Sequence, residues 1–159
     1  MRIIADGIYY ACGLTLVGLA VGYWLNPWVG VPFYILAAFC LYFFRDPERV
    51  APPGDVIVAP ADGKVAALRE VRPGETRVSI FLNIFDVHVN RTPIPGKITN
   101  VDYRKGKFLN ASHEAASLEN EQNTLVIEGA TTRVVCRQIA GLIARRIVCY
   151  KHPGDQVAP

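Results

Sequence analysis

The chain has 159 residues, 51% of them hydrophobic and 19% charged, with a formal net charge of +3. One compact domain with a real core is the default at this length, and so small a charge argues for no nucleic-acid partner. The four cysteines, Cys12, Cys40, Cys136 and Cys149, show no CxxC spacing, and together with the scattered histidines they make no metal pattern. They read as small buried hydrophobes in a reducing compartment.

The apolar residues are unevenly spread. From Gly7 to Phe44 no side chain is charged. Asn26-Pro27 splits this stretch into "IYYACGLTLVGLAVGYWL" and "WVGVPFYILAAFCLYFF". Each half is close to the roughly 17–25 residues a spanning helix needs, and an Asn-Pro break is where a helical hairpin turns. Tyr9, Tyr10, Tyr23, Trp24, Trp28, Tyr42, Phe43 and Phe44 crowd the ends of the halves, as interfacial aromatics do. Arg2 precedes the stretch and Arg45 and Arg49 follow it, so both flanks are expected on the cytoplasmic side. Residues 1–44 are therefore predicted to be a membrane-associated helical hairpin, spanning or seated in one leaflet. A secretory signal peptide has a shorter apolar region, and no second apolar half would follow it.

"FRDPERVAPPGD" (44–55) reads as a charged, proline-rich linker, with the linker proper at 45–55. A β-rich domain is expected over 56–159. Its strand candidates are "VIVAP" (56–60), "KVAALREV" (64–71), "RVSIFLNI" (77–84), "KITNVDY" (97–103), "TLVIE" (124–128), "TRVVCRQIA" (132–140) and "RIVCY" (146–150). Asp62-Gly63, Pro73-Gly74, Pro95-Gly96, Glu128-Gly129 and Pro153-Gly154 separate them. Short strands without long helices between them predict a mainly β fold, an antiparallel sandwich or barrel-like domain, behind the N-terminal hairpin. The polar stretch 104–123 has room for one or two helical turns; a loop of this length is usually functional.

"FDVHVNRTPIPG" (85–96) packs Asp86, His88, Asn90 and Arg91 together after an apolar run. A lone histidine is most often an ordinary packed or solvated residue. Likewise Asp62 in "APADGKV" has a bland reading, since Asp-Gly is the preferred hairpin turn pair. Taken together the two are more informative: each is expected at a strand boundary, so both could reach one end of a sheet. A carboxylate beside an imidazole makes a general base, and a nearby hydroxyl would complete a triad. Arg91, the pair Arg145-Arg146, and Lys105 and Lys107 around Gly106 could each meet an anion. Beside a membrane, the plainer reading of an arginine pair is a solvated charge.

These blocks resemble the short, membrane-bound form of the phosphatidylserine decarboxylase family. The matching segments are "YFFRDPERV", "VIVAPADGKV", "SIFLNIFDVHVNRTPIPGKI", "YRKGKFLNASHEAASLENEQN", "QIAGLIARRIVCY" and "PGDQVAP", in family order over nearly the whole chain. "DVHVNR" and "AGLIARRIVC" are specific; "PADG" alone is weak. The resemblance implies a carboxy-lyase that turns phosphatidylserine into phosphatidylethanolamine through a Schiff base with a pyruvoyl group. It implies that Asp62 and His88 are catalytic. Asn90, Arg91, Asn110, His113, Arg145 and Arg146 are the candidates for substrate binding, and no metal is expected. Longer members carry a second His where this chain has Arg91; if that His is the base of self-cleavage there, its role here falls to His88 or is shared.

Family members also carry a Gly-Ser pair whose serine becomes the pyruvoyl group. Ser79, Ser112 and Ser117 are the serines here, and none follows a glycine. The resemblance therefore implies either the larger β-type chain, with a pyruvoyl-bearing α chain as its partner, or a truncated proenzyme, and in both cases a chain inactive on its own. The implied setting is a bacterial or archaeal cell membrane with a cytoplasmic catalytic domain, a phospholipid substrate and a homodimer. The alternative is a membrane-tethered, non-catalytic β module, because "PADGKV" and "PGDQVAP" also resemble turns of lipoyl or biotin carriers and of sugar-phosphotransferase domains. A carrier's modifiable lysine between small apolar residues is missing.

Overall fold

A computed structural model describes residues 2–110 and 115–159. The chain divides into two compact units: residues up to Val50 with Phe85–Val89, and Ala51–Ile84 with Asn90–Pro159.

The first unit is the helical hairpin. Strand β1 (Arg2–Ile3) leads into helix α1 (Ala5–Trp24), then helix α2 (Pro27–Phe43) and strand β2 (Arg45–Asp46). The turn is written locally. Asn26 caps α2, its Oδ1 accepting from the Trp28 N–H at 2.9 Å, and Pro27 follows where a missing N–H costs nothing. Where the hairpin closes, β1 pairs antiparallel with β2, Ile3 opposite Arg45. The helices meet through small residues: Gly7, Ala11 and Gly18 are the buried positions of α1, and Gly30 and Ala37 those of α2. At Gly30 the contact is backbone to backbone, since a Cβ there would lie 2.6 Å from the Gly18 carbonyl oxygen. Large apolar side chains point outward. At 20 residues, α1 is long and apolar enough to cross a membrane; α2, at 17, is shorter. The rise of a helix makes α1 about 30 Å long, the thickness of a hydrocarbon core. This apolar helix points to association with a membrane.

The second unit is antiparallel β structure. Strands β3 (Lys64–Arg72) and β4 (Glu75–Phe81) form a hairpin around Pro73-Gly74, with Gly74 at φ +78°. Strands β5 (Gly96–Arg104), β6 (Gln122–Glu128), β7 (Arg133–Ile139) and β8 (Gln156–Val157) form a four-stranded sheet in the order β7-β6-β5-β8. Its core is Ile94, Ile98, Leu125 and Ile127, with Val101, Val134, Cys136, Cys149 and Val157 packed against it. In β6, Leu125, Val126 and Ile127 are all buried, so both faces of this central strand are covered. Burial pushes the Cys136 thiol above its ordinary pKa, which fits its reading as a small hydrophobe.

Two strand candidates are not strands. "VIVAP" runs beside the 91–93 segment: Val58 N–H donates to Pro93 O at 2.9 Å, and Arg91 N–H donates to Pro60 O at 2.8 Å. In an antiparallel ladder each such pair would return a second bond. The returning donors would be Pro93 and Pro60, which have no N–H, so the ladder is half made. "RIVCY" joins no sheet. Its alternation is real, with Ile147 and Cys149 half-buried and Val148 and Tyr150 exposed. Period-two burial reports packing, and here it is met without strand pairing.

Among its described residues the 104–123 stretch holds one short helical turn, α3 (Ala116–Glu119), and its last residues enter β6. Asn120, fully buried, organises the base of this loop. Its side chain accepts from the Leu109 N–H (2.8 Å) and donates to the carbonyls of Leu109 (2.9 Å) and Ala140 (2.8 Å).

Candidate active site

The candidates fall on three segments. Asp62 is half-buried in a bend just before β3. Gly63 follows at φ +119°, and a Cβ there would lie 2.4 Å from the Phe81 carbonyl oxygen. Glycine is needed twice over: for its left-handed backbone and for the close approach. The pair Asp62-Gly63 is thus a packed bend entering the β3–β4 hairpin, not a hairpin turn itself. The two bonds to the 91–93 segment tie the chain just before Asp62 to the backbone of Arg91.

Asn90 is held from the sheet. Buried Asn123 on β6 donates through Nδ2 to Gln138 Oε1 on β7 (3.1 Å), and Gln138 Nε2 donates to Asn90 Oδ1 (3.0 Å). The Asn90 oxygen is therefore committed, which leaves its Nδ2 to donate. Arg145 lies in the irregular 141–150 segment, its Nε donating to Leu142 O at 2.8 Å and its guanidinium 5.8 Å from the Phe108 ring centre. Arg146 and Asn110 are exposed. His113 lies outside the described residues.

β4 ends at Phe81, so His88 sits beyond a turn at 84–86 rather than at a strand end. The segment Phe85–Val89 packs with the helical unit. The His88 ring stacks on Phe43 from the end of α2, centroids 4.1 Å apart and planes inclined by 26°. Its Nδ1 lies 3.0 Å from the Asp86 carbonyl oxygen. A carbonyl only accepts, so Nδ1 carries the hydrogen and the neutral ring keeps its lone pair on Nε2. Burial lowers the imidazole pKa below its ordinary value; the Asp86 carbonyl and charge pull it up, and the Arg45 charge adds to the lowering. With its pKa lowered, the ring is neutral at neutral pH.

A half-buried neutral imidazole with one nitrogen fixed and the other available is a proton-transfer device. The family comparisons bear on the chain as a whole. The family model described as phosphatidylserine decarboxylase matches residues 36–159. The phosphatidylserine decarboxylase proenzyme of Solibacter usitatus (strain Ellin6076) is 54% identical over 158 residues, covering 99% of this chain and 77% of that protein. The chain belongs to the phosphatidylserine decarboxylase family. As in any phosphatidylserine decarboxylase, its reaction is the loss of CO2 from the serine head group of a phospholipid. Nothing in the fold or the comparisons favours a carrier-like module.

Sequence reasoning singled out His88 and Asp62 but not the residues that pack or bond around the candidates: Phe43, Arg45, Asn120 and the Asn123–Gln138 pair. Phe43 and Arg45 were visible only as the aromatic end of an apolar run and its basic flank. The polar run "ENEQN" gave one weak signal: amides dense beside a β-branched strand are solvent-facing or, as here, buried and paired.

Proposed function

We propose that His88 is the acid–base residue of both maturation and turnover, with Asp62 its carboxylate partner. The observation that carries this reading is the His88 ring itself: stacked on Phe43, Nδ1 bonded to the Asp86 carbonyl, pKa lowered by burial. The relative's name, a proenzyme, supports a processed partner chain that carries a pyruvoyl group. When present, that group supplies the carbonyl that takes up the substrate amine and the electron sink for the bond to CO2.

The residues here fit such a group. Its formation needs a base to take a serine hydroxyl proton, and Nε2 of a neutral imidazole is suited to that task. Once protonated, the ring is a stronger acid than an ordinary imidazolium because its pKa is lowered. In each turnover the ring, recharged with a proton from solvent, can deliver it from Nε2 to the carbon that loses CO2. With Nδ1 already held by a backbone carbonyl, the orienting task of a triad carboxylate is filled. Arg91 suits the phosphate, through its fork of donors, and Asn90 Nδ2 suits a carboxylate or phosphate oxygen. Arg145, Arg146, Asn110 and His113 are outer candidates for the same head group. Arg2, Arg45 and Arg49 flank the hairpin and favour a cytoplasmic orientation.

The test is His88→Ala in the proenzyme that carries the Gly-Ser segment. Self-cleavage and the hydroxylamine-reactive carbonyl should be lost. For protein matured by other means, CO2 release should fall by about 10²- to 10⁴-fold. A variant that self-cleaves and releases CO2 normally would make His88 a packing residue and sink the assignment.

A further inference from the structure

The end of α2 makes a set of contacts for which anchoring has no need. Arg45 Nη1 donates to Tyr42 O and Nη2 to Phe85 O, both at 2.8 Å, while its guanidinium lies 3.8 Å over the Tyr42 ring centre. The Tyr42 hydroxyl donates to the same Phe85 carbonyl at 3.2 Å. Arg45 is itself fixed in β2, opposite Ile3. Phe43 then covers one face of the His88 ring. The imidazole is thus held at its face by Phe43, at Nδ1 by the Asp86 carbonyl, and at the start of its segment by the doubly bonded Phe85 carbonyl.

We propose that Phe43 and Arg45 are positioning residues for His88, so that the exit of the apolar hairpin sets which imidazole nitrogen exchanges a proton and where it stands. This rests on His88 being the acid–base group. Phe43 keeps water from one ring face, and turning the ring over would break the Nδ1 bond. Arg45 bridges two carbonyls with one planar fork, which a lysine's single ammonium on a flexible stem does not reproduce. The charged groups acting on the ring are Asp86 and Arg45. Hairpin end and proton-transfer group then move as one body, which suits a substrate whose head group is tethered at a bilayer surface.

The test uses the enzyme with its pyruvoyl segment in phosphatidylserine-containing nanodiscs, with ¹⁵N-labelled histidine. Phe43→Ala uncovers the ring, so the His88 titration should move up toward about 6.5, and the acid limb of the pH–rate profile should move with it. Loss of alignment should lower kcat between about tenfold and a hundredfold with little change in KM. Phe43→Tyr, which keeps the stack, should restore both titration and rate. Phe43→Leu keeps an apolar residue at the helix end but no flat face over the ring, which leaves part of that face open to water; should Phe43→Ala not fold, the leucine variant must show an upward shift of the same sign. Arg45→Lys should mix the Nδ1–H and Nε2–H tautomers in the imidazole spectrum. An unchanged His88 titration and tautomer in all of these variants would overturn the proposal. So would equal rate losses in Phe43→Ala and Phe43→Tyr. The two readings fail separately: an active His88→Ala enzyme removes the catalytic assignment, whereas an inactive one with an unperturbed Phe43→Leu titration removes only this coupling.

Discussion

The helical hairpin and the four-stranded sheet bury opposite kinds of side chain. Between α1 and α2 the buried residues are glycines and alanines, while Leu16, Trp24, Trp28 and Ile35 stand 66%, 79%, 81% and 66% exposed. In the sheet Ile98 and Ile127 are 0% and 1% exposed, and the outer face of β7 carries Arg133 and Arg137 alternating with Val135 and Ile139. A sheet in water gains by hiding apolar area. Helices in lipid gain nothing that way, because the tails are as apolar as leucine; close packing of small residues holds them together. The same chain therefore follows two packing rules, and the rule of the hairpin is the one that helices follow in lipid.

This contrast predicts that substitutions of opposite sense should injure the two regions. The largest effect is expected from Ile127→Ala. It removes a fully buried side chain from the core with Ile94, Ile98 and Leu125, and should cost about 2–5 kcal/mol. Hydrogen exchange should show amide protection falling across β5, β6 and β7. Trp24 and Trp28, the chain's two tryptophans, both lie in the hairpin, so their fluorescence should stay unchanged. A simultaneous change in both signals would mean that the regions melt as one and the contrast is not energetic.

A smaller effect is expected in the opposite direction from Gly30→Ala. One added methyl lands 2.6 Å from the Gly18 carbonyl oxygen, which is backbone and has nowhere to turn. Overpacking of this kind costs about 1–3 kcal/mol. Titration with SDS from mild detergent, followed by tryptophan fluorescence, should show the hairpin opening earlier. Leu16→Ala, a larger loss of side chain on the outer face, should leave that midpoint in place. If Leu16→Ala opens the hairpin and Gly30→Ala does not, the small-residue interface is wrong.

How far the sequence disclosed these regions follows from how local their causes are. The hairpin turn was readable because Asn26 and Pro27 act on their own helix end. Strands β5, β6 and β7 were readable because their β-branched runs are bounded by glycine turns. "VIVAP" misled because its half ladder depends on prolines at 60 and 93, far apart in sequence. Asn120 was hidden because nothing in "LENEQN" tells a buried amide from a solvated one; its partners, Leu109 and Ala140, come from two other segments. His88 was singled out through its motif and its chemistry. Its stacking on Phe43 was not, since an apolar run ending in Phe-Phe-Arg reads first as a membrane boundary.

The smallest effect is expected where the geometry looks strongest. Lys107 Nζ lies 2.6 Å from Glu119 Oε2, a short ion pair at the base of the 104–123 loop. Both side chains are exposed, so water and salt screen the attraction, and holding two long side chains in one arrangement costs entropy. The backbone already does the work at this point: Lys107 N–H donates to Glu119 O at 2.7 Å, and Glu121 N–H donates to Lys107 O at 3.0 Å. Neither bond needs the lysine side chain, and the buried Asn120 clamp lies between their two ends. Lys107→Met should therefore leave the thermal midpoint unchanged within error, and adding salt to the parent protein should not lower it. A drop in midpoint for Lys107→Met comparable with that of Ile127→Ala would show that the loop is held by charge rather than by the buried amide, and the sheet region would then obey a third rule of its own.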